Sequence, residues 1–371
     1  MRFRDIPGHE SVKNELLSLY ENDRIPHALL FSGPQGNGKL ALAIAFASFL
    51  QCKGDKKDDK CGKCLACNKT NKYIHPDINF TFPTYGKSGQ KYITSKMKIT
   101  EWRERLSGGL DFSLEDWNNY AGFEGKQSTI YKDSITDLLD YFRLKRFEGN
   151  KKIAIIWQAE LLGHEGNKIL KLIEEPPPNS ILIFIADNTK KILPTILSRC
   201  QIFRVPPYSS EDMQNWAFQN EIITDSKLLE LSNIAEGNII EFKKLLNQDK
   251  INYFDLFLNW LRLCYKGTSN EMVSYAEQFS KTGKDNQKYF FKYGLRFLEK
   301  TLKSFYLRRE FITLTEEEYN SMLKIRNLLD FEKITDMIDL FNNSIYRIER
   351  NANLKLLIFN NSLKLHKILR Y

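Results

Sequence analysis

The chain has 371 residues, 42% apolar and 13% aromatic, which is ample for packed cores and excludes global disorder. It exceeds one typical domain, and no run approaches the roughly 18–20 uninterrupted apolar residues of a membrane span. Its 55 Lys and Arg against 46 Asp and Glu give a net charge of +9, compatible with nucleic acid or an acidic partner but equally with a Lys- and Asn-rich composition.

In chain order, the opening residues, Met1 to Pro7, carry no apolar core of a secretory signal, so a cytoplasmic protein is expected. Residues 8–22 read as a helix with Val12, Leu16, Leu17 and Leu19 on one face. An apolar run, 27–31, leads into a glycine-rich loop, and 41–50 is again apolar at helical spacing. Strand, glycine loop and helix are the setting of a phosphate-binding loop. Further strands are predicted at 152–157 and 181–185, with a helix at 167–175 stopped by Pro176-Pro177-Pro178. Alternating strands and helices predict a parallel sheet covered on both faces.

The run Val205-Pro206-Pro207-Tyr208-Ser209-Ser210 reads as a linker. Beyond it, 211–248 reads as three short helices broken near Thr224 and at Gly237. Long amphipathic helices follow, among them 253–265, 289–308 and 334–348. The stretch from about 80 to 127 fits neither pattern; some helix is legible near 100–106, and Tyr85, Tyr92, Trp102, Trp117, Tyr120 and Phe123 are candidates to stack on bases or dock a partner.

Two constellations carry chemistry. Gly33-Pro34-Gln35-Gly36-Asn37-Gly38-Lys39 satisfies Gly-x4-Gly-Lys, in which glycines let backbone amides approach a phosphate and the lysine balances its charge. The next position calls for a hydroxyl to ligate magnesium, and Leu40 has none. Cys52, Cys61, Cys64 and Cys67 have the spacing of a structural tetrathiolate zinc site, with an iron–sulfur cluster as the other metal reading. Cys264 reads as core.

A phosphate loop followed closely by Cys-x8-Cys-x2-Cys-x2-Cys resembles the gamma/tau and delta-prime subunits of the bacterial DNA polymerase III clamp loader. Further stretches agree in order: 24–31 before the loop, His75-Pro76-Asp77, 170–177, 193–200 with Ser198-Arg199-Cys200, and Arg350-Asn351-Ala352-Asn353. The resemblance implies an AAA+ α/β domain over 1–206, with the zinc module at 52–67 and an insertion at about 80–127. It implies a small helical lid over 207–250 and an all-α collar over 251–371. It further implies gamma/tau and delta partners in a hetero-pentameric ring, a sliding clamp, primer–template DNA reached through the complex, and no membrane.

Within that family a hydrolysing subunit carries an Asp and a Glu after the Walker B strand, where this chain has Trp157 and Gln158. A sensor arginine is expected where Ile240 stands, and Glu160 lies beyond the strand end. With Leu40, these positions imply a non-hydrolysing, delta-prime-type subunit. Gly33, Gly36, Gly38 and Lys39 leave ATP or ADP binding open, without hydrolysis. The resemblance makes Arg199, with Ser198, an arginine finger acting on a neighbouring subunit's nucleotide, and it places a polar sensor near Asp187-Asn188-Thr189. The competing readings are a gamma/tau-type motor ATPase and a DNA-binding factor outside any ring.

Overall fold

The structure, a computed structural model, describes residues 1–56, 58–86, 93–220, 227–247, 252–312 and 314–370. The described chain forms two compact units, Met1–Asn247 and Gln248–Tyr371. The expected break near Thr224, the 250/251 boundary, Tyr92 and Tyr371 lie outside the described residues.

The first unit begins with α1 (Glu10–Glu21), β1 (Ala28–Ser32), α2 (Lys39–Gln51), α3 (Leu65–Asn71) and β2 (Ile78–Thr81). It continues through α4 (Ile99–Ser107), α5 (Leu114–Tyr120), α6 (Lys132–Arg143), β3 (Lys152–Trp157), α7 (Leu170–Glu174), β4 (Ser180–Ala186), α8 (Pro194–Leu197) and β5 (Gln201–Arg204). Three helices, α9 (Ser210–Gln219), α10 (Lys227–Ile234) and α11 (Ile239–Asn247), complete it. The strands pair in the order β2-β3-β4-β1-β5, every pair parallel.

Strands β1, β3 and β4 are buried throughout, as a parallel sheet covered on two faces requires. Successive side chains alternate between two cores. Leu29, Phe31, Ile153, Ile155, Trp157, Ile181, Ile183 and Ile185 face one core, which α1 and α2 share. Leu30, Ala154, Ile156, Leu182 and Phe184 face the other, with Ile135, Leu138 and Phe142 of α6. Helix α2 is buried along its whole length, which explains its apolar residues on every side. The helix expected at 167–175 is α-helical only over α7; residues Ala159–Ile169 run as 3-10 turns, interrupted by Gly163 in a non-helical conformation. β2 and β5, not expected from sequence, are four residues each.

The stretch from about 80 to 127 opens inside β2, to which Phe80 and Thr81 belong. Its base is closed by Thr84 and Thr129, whose backbone groups exchange two hydrogen bonds of 2.9 Å. Serine 113 caps α5 and forms a reciprocal pair with Asp116.

The second unit is all helical among its described residues: α12 (Tyr253–Lys266), α13 (Ser269–Ser280), α14 (Lys284–Lys303), α15 (Glu316–Arg326), α16 (Phe331–Glu349) and α17 (Leu354–Arg370). Phe257, Trp260, Phe290 and Phe341 pack ring against ring at its centre, and the Trp260 indole N–H donates to Ser362 Oγ at 2.8 Å. No described helix is long and apolar enough to cross a membrane.

Asp77 precedes β2, and its carboxylate accepts from three successive amides, Phe147, Glu148 and Gly149, at 2.6–2.8 Å. Burial pushes its pKa up, but those donors outweigh burial and hold it below the ordinary aspartate value. A depressed carboxylate adds stability above its unfolded pKa and loses it as pH falls through the folded value. Asp77→Asn should therefore lower unfolding free energy by roughly 2 kcal/mol at pH 7. In urea melts the gap from the parent should close as pH falls below about 4.

Candidate functional site

The loop between β1 and α2 turns on Gly36 and Gly38, whose φ values of 75° and 77° favour glycine. Space demands it too. A Cβ at Gly36 would lie 1.8 Å from Asn238 Oδ1, and one at Gly38 would lie 2.0 Å from the Tyr208 hydroxyl. The linker and the start of α11 therefore press directly on the loop, and Ile239 N–H donates to Gly36 O at 2.9 Å. Asn37 is buried and donates to Val205 O at 2.6 Å, while its own carbonyl lies 2.9 Å from His9 Nε2.

Lys39 is 4% exposed, and a buried ammonium needs acceptors. It donates to Gly33 O (2.8 Å), Pro34 O (2.6 Å) and Asn37 Oδ1 (2.8 Å), and it pairs with Asp187 Oδ1 at 2.9 Å. Burial lowers its pKa and Asp187 opposes that shift. Asp187 also accepts from Gln158 Nε2 at 3.0 Å. Within the polar stretch Asp187-Asn188-Thr189, it is Asp187 that engages the loop lysine.

The positions that would handle magnesium and water are occupied otherwise. Leu40 and Ile240 are buried. Trp157 is 4% exposed, its ring centroid 5.1 Å from Trp102 and 5.3 Å from Phe112. Phe82 stacks on Trp102 at 4.3 Å, and Trp117 meets both edge-on, its indole N–H bonded to Pro83 O at 2.8 Å. Trp102 and Trp117, candidates for base stacking, are thus fully buried, and residues of the stretch 82–117 fill the space beside the end of β3. Glu160 spends one carboxylate oxygen on the amides of Asp187 (2.9 Å) and Asn188 (3.1 Å), and burial raises its pKa. These residues do not fit a catalytic magnesium ion: the strand end offers an indole and an amide, Asp187 is paired with Lys39, and Glu160 holds two amides with one oxygen and keeps the other buried, without a hydrogen-bond partner among the described residues.

The cysteines converge. The Sγ atoms of Cys52, Cys61, Cys64 and Cys67 lie within 4.8 Å of one another, with Cys61 and Cys67 3.9 Å apart. Thiolates on arms of about 2.3 Å around one ion sit about 3.8 Å apart, so the cluster fits a tetrahedral metal. Cys52 caps the end of α2 and Cys64 the start of α3, so two helices fix the module. Burial resists ionisation of Cys64, but N–H donors from Cys67 and Lys53 bring its pKa down to about 6. Burial pushes Cys67 up to about 12. Lys60, buried beside them, bonds Asn71 Oδ1 at 2.7 Å and supplies a compensating positive charge.

Arg199 follows α8, half-exposed, with Ser198 Oγ 3.3 Å from its Nη1. Its other partners are Thr195 O and Glu174. Sequence reasoning missed Glu174, although it lies in the stretch 170–177.

A family model described as DNA polymerase III, delta subunit, matches residues 8–209. The Bacillus subtilis DNA polymerase III subunit delta' is 25% identical over 237 residues, 63% of this chain and 58% of the relative. The Haemophilus influenzae subunit delta' is 27% identical over 241 residues, 61% of each. The Mycoplasma pneumoniae subunit gamma/tau is 26% identical over 253 residues, 67% of this chain and 31% of the relative. The matches thus span less than two thirds of these relatives' length. Among solved structures, a Thermotoga maritima gamma subunit-related protein aligns over 96% of this chain and 99% of its own, at 16% identity and a TM-score of 0.36.

Trp157→Asp should not create magnesium-dependent ATP hydrolysis. It should instead destabilise the first unit by about 3–5 kcal/mol, because it opens a cavity and buries an unpaired carboxylate. Phosphate release and a chemical melt measure the two outcomes.

Proposed function

We propose that this chain, which belongs to the DNA polymerase III, delta subunit family, is a non-hydrolysing, delta-prime-type subunit of the bacterial clamp loader. Relatives named delta' and gamma/tau match at similar identity, so the choice between them rests on residues. The carrying observation is Trp157, sealed among aromatic rings where a hydrolysing subunit needs a metal carboxylate. Gln158 beside it, and the engagement of Asp187 with Lys39, point the same way.

In this reading the first unit is an AAA+ module with the lid helices α9 to α11, and the second is the collar that joins gamma/tau and delta subunits in a five-membered ring. The ring acts in the cytoplasm, opening a sliding clamp and placing it on primer–template DNA. Lys39 and the glycines remain a phosphate cradle without the means to cut ATP, and any bound ATP or ADP would be held by them alone. The alternative, a gamma/tau-type motor, lacks support at Leu40, Trp157, Gln158 and Ile240.

Arg199 supplies positive charge to a neighbouring subunit's nucleotide. Its half-exposed place after α8, clear of the degenerate loop's own bonds, supports a role in trans. The cysteine module holds one structural zinc, and its closed set of four thiols leaves no open position for catalysis.

In the assembled loader, Arg199→Ala should lower ATP turnover at one neighbouring site by roughly tenfold or more and slow clamp loading. Unchanged turnover would remove the finger. Metal analysis of the purified chain should give one zinc per chain, lost in the Cys61→Ser, Cys64→Ser double variant together with thermal stability. A metal-free, fully folded parent would refute the site.

A further inference from the structure

Two motifs separated along the chain meet at one point. Helix α7 ends at Glu174 because the prolines that follow cannot continue it, and Glu175 is already non-helical. This leaves the Glu174 side chain beside the last turn of α8, where Arg199 begins its reach. Arg199 Nε donates to Glu174 Oε1 at 2.8 Å, and Nη2 meets the same oxygen at 2.6 Å. On the other edge Nη1 donates to Thr195 O at 2.9 Å and to Ser198 Oγ at 3.3 Å.

We infer that Glu174 is a positioning residue for Arg199, fixing the plane of the guanidinium that a neighbouring nucleotide meets. The inference rests on the finger reading above. A guanidinium has five N–H groups in a rigid fork. Glu174 takes the inner edge, Thr195 and Ser198 take Nη1, and among the described residues one N–H on Nη2 is left for an outside acceptor. Both side chains are partly exposed, 38% for Arg199 and 46% for Glu174. An ion pair in such a place adds little to stability, so its effect lies in geometry. Without it Arg199 is a flexible side chain that each encounter must order afresh. With it the fork is held before the neighbour arrives, which is how a charged group acts on a transition state without reorganising.

The test is a double-mutant cycle in the assembled loader, measuring ATP turnover and the KM for ATP at the neighbouring site. Glu174→Ala should lower kcat about tenfold with KM unchanged, because the nucleotide is held by the neighbour and not by this side chain. Adding it to Arg199→Ala should cause no further loss, and Glu174→Gln, which keeps an acceptor oxygen, should recover part of the rate. Losses that multiply in the double variant would show that Glu174 acts by another route and overturn the inference. So would a normal kcat for Glu174→Ala beside a slow Arg199→Ala. If Arg199→Ala itself is silent, the finger reading fails, and this inference with it. Circular dichroism and intact assembly of the Glu174→Gln form separate misfolding from lost positioning.

Discussion

A positive charge sealed from water must find negative oxygen, and Lys39 organises the end of the sheet around that requirement. Its ammonium gathers two loop carbonyls, the Asn37 amide and the Asp187 carboxylate. Asp187 stands just past β4, and Gln158, which it also binds, stands just past β3. Asn37 reaches Val205, just past β5. One buried lysine thus ties together the tips of neighbouring strands, using the chain's own groups.

The same replacement pattern recurs around it. At the end of β3 the Trp157 indole is packed by Phe112 and Trp102. Glu160 survives as a carboxylate but braces two backbone amides. Trp157 is sealed by rings and Glu160 Oε1 holds two amides, while Glu160 Oε2 is buried without a hydrogen-bond partner among the described residues. Arg199 differs: its partners leave it at the surface, with donor capacity facing outward.

Much of this was legible because the chemistry is local in sequence. The glycine-rich loop and the cysteine cluster each occupy fewer than about twenty residues, and the four thiols converge as their spacing predicts. The long buried strands announced themselves as apolar runs. β5 did not, because only Phe203 of its four residues is buried, and β2 is as short. The insertion was opaque for another reason. Phe82, Trp102, Phe112, Trp117 and Trp157 form one nest from segments with neither a common period nor a continuous apolar run to mark their burial. Asp187 and Glu174 stood in recognised stretches, but their partners, Lys39 and Arg199, are distant in sequence and become neighbours only through the sheet.

The nest has an optical consequence. Among the chain's five tryptophans, the ring centroid of Trp102 lies 5.0 Å from that of Trp117 and 5.1 Å from that of Trp157. Ultraviolet excitation is therefore shared within this cluster at the end of β3. Its emission colour and near-ultraviolet dichroism form a built-in gauge of that strand end, readable without any attached dye.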